Sequence, residues 1–179
     1  MISATTKTTG EWKTEAEAWE DFDRVIDQSA AFKVYREVEG FYVQPRSCTE
    51  DKSASIDRIL CPLRKAIDAG WPDGAFGVEG KKSGTKIGKI VAQAMDYSRC
   101  AFHLDSGFVI LLPWVFIFPA DGQLGDLASV MAHNRIGTAC LSLNGRLCFS
   151  CAGINGIVIG PDGDIDAKKL PLGQKRGSR

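Results

Sequence analysis

Three observations in this 179-residue chain predict an α/β fold, a single domain with a central mixed β-sheet flanked by helices. Two segments, 15–30 and 85–99, repeat apolar residues at helical spacing. Around them lie short runs rich in β-branched and aromatic residues, the composition of strands. Asn144-Gly145 separates two of these runs and is the strongest short signal for a hairpin, predicting a C-terminal β-hairpin extension. A content of 44% hydrophobic and 25% charged residues suits a soluble globular domain with a sizeable core.

The elements follow in order. Residues 1–13 read as a flexible N-terminal arm, 14–160 as the domain, and 161–179 as a flexible basic tail ending GQKRGSR. Thr14-Glu15-Ala16-Glu17 is a capping box, and Ala18, Phe22, Val25, Ile26 and Ser29 then mark the buried side of a first helix. Phe32 to Val38 and Phe41 to Val43 read as strand, Arg46 to Ala54 as a polar loop, and Ile56 to Leu60 as a short strand with one acid inside it. A short helix or turn over Pro62 to Ala69 closes at Gly70-Trp71-Pro72-Asp73-Gly74. Phe76 to Lys81 is the next strand, followed by a helix from Thr85 to Arg99 with Ile87, Ile90, Val91 and Ala94 on its buried side. Phe108 to Phe118 reads as a buried strand or pair of strands broken near Pro113, and Asp126 to Asn134 as a short helix. Thr138 to Leu143 and Arg146 to Cys151 flank the Asn-Gly turn, and Ile154 to Ile159 is the last strand.

Bulk properties exclude some roles. The longest apolar run, Phe108 to Ala120, has 13 residues and contains proline; a bilayer span takes about 20. With a polar N-terminus, a cytoplasmic location is expected and no membrane partner. The six cysteines then read as reduced thiols acting as small hydrophobes, and Cys148 and Cys151 fall on opposite sides of a strand. His103 and His133 read as structural or surface residues. Net charge is zero, so nothing global points to nucleic acid, but the two halves differ. Residues 1–79 hold 10 basic and 15 acidic side chains, and 80–179 hold 12 and 7. Lys81, Lys82, Lys86 and Lys89 fall in a stretch free of acids, a solvated helix face or a phosphate-facing edge.

The segment AFGVEGKKSGT, residues 75–85, carries the chemistry. Glu79 and Lys81 are two apart on a strand and share a face. A core strand gains little from such a pair, because both charges lose hydration, whereas metal-assisted attack on a phosphodiester uses a carboxylate and an ammonium side by side. Magnesium needs a second oxygen ligand set close by. Asp73 and Asp57 both lie upstream. Six residues of extended chain reach about 20 Å, which carries Asp73 away from Glu79 and leaves it a turn residue. Asp57 sits in a separate strand, and if that strand pairs with 76–81 the two carboxylates meet.

Asp57 in a short strand, Glu79-x-Lys81 in the next, and a helix bearing Gln93-x-x-x-Tyr97 together resemble the PD-(D/E)xK nuclease superfamily. The Gln-x-x-x-Tyr element is similar to that of its RecB-like branch, and the local wording to small phage or bacterial nucleases. The resemblance covers residues 15–118 and is sharpest over 56–97. It departs from the family in two places: Ile56 precedes Asp57 where the family name has proline, and both histidines lie downstream of the acid. It implies a restriction-endonuclease-like core and Mg²⁺-dependent cleavage of DNA, with Mn²⁺ as a substitute. It assigns metal binding to Asp57, Glu79 and the Gly80 carbonyl, and water activation and phosphate stabilisation to Lys81. Lys82, Lys86, Lys89, Gln93 and Tyr97 become candidates for DNA contact, or for bracing the site in the case of Gln93 and Tyr97. An additional acid is open among Glu17, Glu20 and Glu37. DNA is the expected partner and a homodimer an expected assembly. A noncatalytic DNA-binding or regulatory module, and a structural partner-binding protein, are the alternatives.

Overall fold

The computed structural model describes residues 12, 14–43, 53–80, 85–105, 107–120, 127–151 and 154–168. They build one α/β domain whose mixed sheet has ten strands, with four helices among the described residues. The first helix, α1 (Glu15–Ser29), starts at the expected box: the Glu17 amide donates to the Thr14 hydroxyl at 3.2 Å. Strands β1 (Phe32–Tyr42), β2 (Ser53–Pro62) and β3 (Phe76–Gly80) form an antiparallel meander, with the short α2 (Arg64–Asp68) between β2 and β3. Helix α3 (Ile87–Tyr97) follows β3. It leads to a hairpin of β4 (Cys100–His103) and β5 (Val109–Leu111), then to β6 (Trp114–Phe118), which runs parallel to β3. Helix α4 (Leu127–His133) precedes β7 (Ile136–Leu141), parallel to β6. Strands β8 (Leu147–Cys151), β9 (Ile154–Ile159) and β10 (Ile165–Lys168) finish the sheet as an antiparallel run. The order across the sheet is β10-β9-β8-β7-β6-β3-β2-β1-β4-β5.

Two cores sandwich the sheet. Trp19, Phe22, Val25 and Ile26 of α1 pack with Phe76, Val78, Phe116, Phe118 and Phe149. On the other face Ile90, Val91, Ala94 and Tyr97 of α3 pack with Ile56, Ile59, Phe102, Val115 and Ile117. Strand β6 shows the alternation that separates the layers, sending Phe116 and Phe118 one way and Val115 and Ile117 the other. Among the described residues no helix is long and apolar enough to cross a membrane.

Several sequence expectations are corrected. Phe32–Tyr42 is one continuous strand, not two. Ser53 and Ala54, assigned to the polar loop, belong to β2; residues 44–52 lie outside the described residues. The stretch before Pro113 is not a core strand. Phe108, Val109 and Leu111 are exposed, because β5 lies at the sheet edge and pairs only with β4, itself unforeseen. Residues 165–168, assigned to a flexible tail, form β10 against β9.

One irregularity positions the site. Tyr35 and Val38 on β1, and Ile56 and Ile59 on β2, all point into the α3-side core. Residues three apart share a strand face only if the period of two breaks between them. The break falls at Glu37, whose φ is 50°, and at Asp57 facing it. Paired residues on either side, Arg36 with Arg58 and Val38 with Ile56, keep one register. Both strands therefore change phase together.

Candidate active site at the end of strand β3

Asp57 sits at that break, outside the regular ladder to either neighbouring strand. Its displaced backbone and side chain find other partners, as buried polar groups must. The Arg58 guanidinium donates to the Asp57 carbonyl at 2.7 Å. The Asp57 carboxylate accepts from the Gly80 amide at 2.6 Å, the last residue of β3. The β2–β3 ladder ends at the pair Arg58–Val78, and Asp57 and Glu79 are the next residues beyond it on the two strands. Asp73, by contrast, is exposed in the turn before β3, at the far end of that strand.

Glu79 is buried at 7% exposure and faces α3. Gln93 donates from its amide nitrogen to the Glu79 carboxylate at 2.6 Å and lies 2.6 Å from the Tyr97 hydroxyl. The Tyr97 hydroxyl in turn donates to the Ser55 carbonyl on β2 at 2.6 Å. Gln93 and Tyr97, four apart on one helix face, thus tie the Glu79 side chain to the β2 backbone. Tyr97 is 4% exposed, so its geometry is that of a brace. Burial first, and then the negative charge of Glu79 with a smaller share from Asp57, push the Tyr97 phenol far above its ordinary value of 10.0. The charges of both carboxylates thus reach the one phenol.

The opposite side of Gly80 is closed by α1. A Cβ on Gly80 would stand 2.8 Å from the Trp19 ring and 2.9 Å from the Asp57 carboxylate. Trp19 is itself stacked under the Arg58 guanidinium, 4.4 Å from ring centroid to Cζ. Arg58 forks onto Asp23 of α1 with two bonds of 3.1 Å. The sequence reading missed Trp19, Asp23, Arg58 and the Ser55 carbonyl. Arg58 carried a signal of the kind Glu79 did, a charge in an apolar strand; the Ser55 carbonyl, a backbone atom, carried none.

Among the other candidates, Lys86 and Lys89 are exposed at the start of α3, and Lys86 is its N-cap. Lys86, Lys89, Gln93 and Tyr97 recur at spacings of three and four, one stripe from solvent to Glu79. Lys81 and Lys82 lie outside the described residues. The three further acids are all exposed; Glu37 holds the position between the pairs Arg36–Arg58 and Val38–Ile56, as Asp57 does on β2, and Glu17 and Glu20 lie on α1. No family model, no curated protein and no solved structure matches this chain.

Proposed function

We propose that this chain is a Mg²⁺-dependent deoxyribonuclease of the PD-(D/E)xK type, with a restriction-endonuclease-like core and its site at Asp57, Glu79 and Lys81. The supporting observation is that Asp57 and Glu79 both lie at the end of β3, Asp57 bonded to the Gly80 amide and Glu79 fixed by the Gln93–Tyr97 pair of the following helix. Strand, strand and helix carry Asp57, Glu79 and Gln93-x-x-x-Tyr97 in the order on which the resemblance rests.

The donor set suits a hard divalent cation. Among the described residues no group of three or more His, Cys, Asp or Glu is arranged to hold a metal. Magnesium asks for less: one or two carboxylates, with waters and phosphate oxygens completing the octahedron. The Gly80 amide takes one of about four lone-pair directions of the Asp57 carboxylate. Asp57 and Glu79 would hold the cation, with the Gly80 carbonyl as a further oxygen. When bound, it polarises the phosphodiester and lowers the pKa of water. Lys81 orients the attacking water and offsets charge on the phosphate. Gln93 and Tyr97 hold Glu79 in place, and Lys82, Lys86 and Lys89 meet the DNA backbone. A homodimer would present two such sites to a duplex.

The test is incubation with plasmid, linear and single-stranded DNA in Mg²⁺, Mn²⁺ or chelator. Cleavage is expected with metal only, and Glu79→Gln and Lys81→Ala should each lower it by about 100-fold or more. DNA binding without cleavage under every metal would replace the enzyme with a noncatalytic DNA-binding module. Neither binding nor cleavage would leave a structural, partner-binding role.

A further inference from the structure

Cys140 and Cys148 stand directly opposite each other on β7 and β8. Opposed residues of an antiparallel ladder have side chains on one face and Cα atoms about 4.5–5.5 Å apart. A disulfide accepts Cα separations of about 4.4–6.8 Å, so the strands need not move to be linked. Both side chains are half-buried, whereas the residues flanking them, Ala139, Leu141, Leu147 and Phe149, are sealed in the α1-side core. The two thiols interact: the contact with Cys148, together with burial, keeps the Cys140 proton on far above the ordinary thiol range. The other described cysteines are placed differently. Cys100 donates to the Asp96 carbonyl at 3.3 Å, Cys61 lies opposite Lys33, and Cys151 is buried under α1.

We infer that Cys140 and Cys148 form a reversible oxidation site, a cross-strand dithiol that a low-molecular-weight disulfide converts to an intramolecular disulfide. The inference is independent of the nuclease reading. Either thiol of the facing pair can attack once deprotonated, and the steps are the same with Cys148 or Cys140 first. With Cys148 first, attack on one sulfur of the small disulfide breaks that S–S bond, releases one small thiolate and leaves a mixed disulfide on Cys148. Cys140 then gives up its proton, attacks the Cys148 sulfur and expels the second small thiolate. Two electrons pass from the dithiol to the external disulfide, which departs as two thiols carrying the two protons. The new link closes only the hairpin around Asn144-Gly145, already held in register, so it constrains little additional chain.

The experiment equilibrates the intact reduced protein with graded ratios of oxidised to reduced glutathione, quenches with acid, alkylates the remaining thiols and maps the peptides. A linked peptide joining Cys140 to Cys148 should rise with the ratio and vanish on return to reductant. In Cys140→Ser, glutathione should accumulate on Cys148, because the resolving thiol is gone. In Cys148→Ser, glutathione should likewise accumulate on Cys140. The map of the unmutated protein decides the matter even if a variant fails to fold. Recovery of both cysteines fully alkylated at oxidising ratios, or a linkage dominated by any other pair, overturns the proposal.

Discussion

Gly80 is the point where the β3 backbone, the Asp57 carboxylate and the Trp19 ring converge, and there is no room in it for a side chain. An alanine there would push its methyl into Trp19 and Asp57 and displace the acid from the Gly80 amide. Gly80→Ala should therefore lower stability by about 1–3 kcal/mol in denaturant titration, as overpacking does, and the DNA cleavage proposed for the site should fall with it. Glu79 was legible because a carboxylate in an apolar strand asks for an explanation. Gln93 and Tyr97 were legible as a pair from their spacing, but not as a brace on Glu79. Their partners are a side chain 14 residues away and a backbone carbonyl 42 residues away.

At the scale of elements, α1 was legible down to its cap because a capping box is a local pattern. How α1 docks was not, because its anchor joins residues 35 apart, Asp23 and Arg58. Among the described residues, Asp23→Ala would leave the nearly buried Arg58 guanidinium with the Asp57 carbonyl and the Trp19 face. It should cost about 2–3 kcal/mol by thermal or chemical unfolding. Asp23→Glu, which keeps the charge, should recover part of that. The hairpin of β4 and β5 escaped the sequence because Cys100–His103 follows α3 after a turn of Ser98 and Arg99, with neither glycine nor proline to mark it. Strand β10 escaped because it is only four residues long and its acid, Asp166, sits in what reads as a polar tail.

For the molecule as a whole, composition and the alternation of patterns sufficed for the class, one α/β domain with a mixed sheet. They did not reveal the width of the sheet, because strand order is a matter of long-range pairing. Global stability should carry the mark of the buried Tyr97. Its phenol stays neutral in the folded state well above 10.0, the value expected of the unfolded chain. Below pH 10 both states are protonated and the contribution is fully present; above it the unfolded chain ionises first, so stability falls as pH rises. The loss should reach up to about 1.4 kcal/mol per pH unit. Tyr97→Phe should flatten this alkaline limb while lowering the neutral-pH plateau by about 1 kcal/mol for the lost hydroxyl bonds. Urea titrations of both proteins across the alkaline range check it, and a limb unchanged by the substitution would assign it to other groups, such as Cys100, whose thiol is pushed up to about 11.

The paired change of phase at Glu37 and Asp57 has an evolutionary consequence. A chain could shed the acid by deleting residue 57, which would leave Ile56 and Ile59 two apart on the same face and residue 37 as a one-residue bulge opposite them. Replacement of the aspartate leaves no such trace. Matched one-residue gaps at 37 and 57 would therefore be the footprint of descendants that lost the acid and straightened both strands, and a gap at 57 alone that of descendants that kept a bulge on β1.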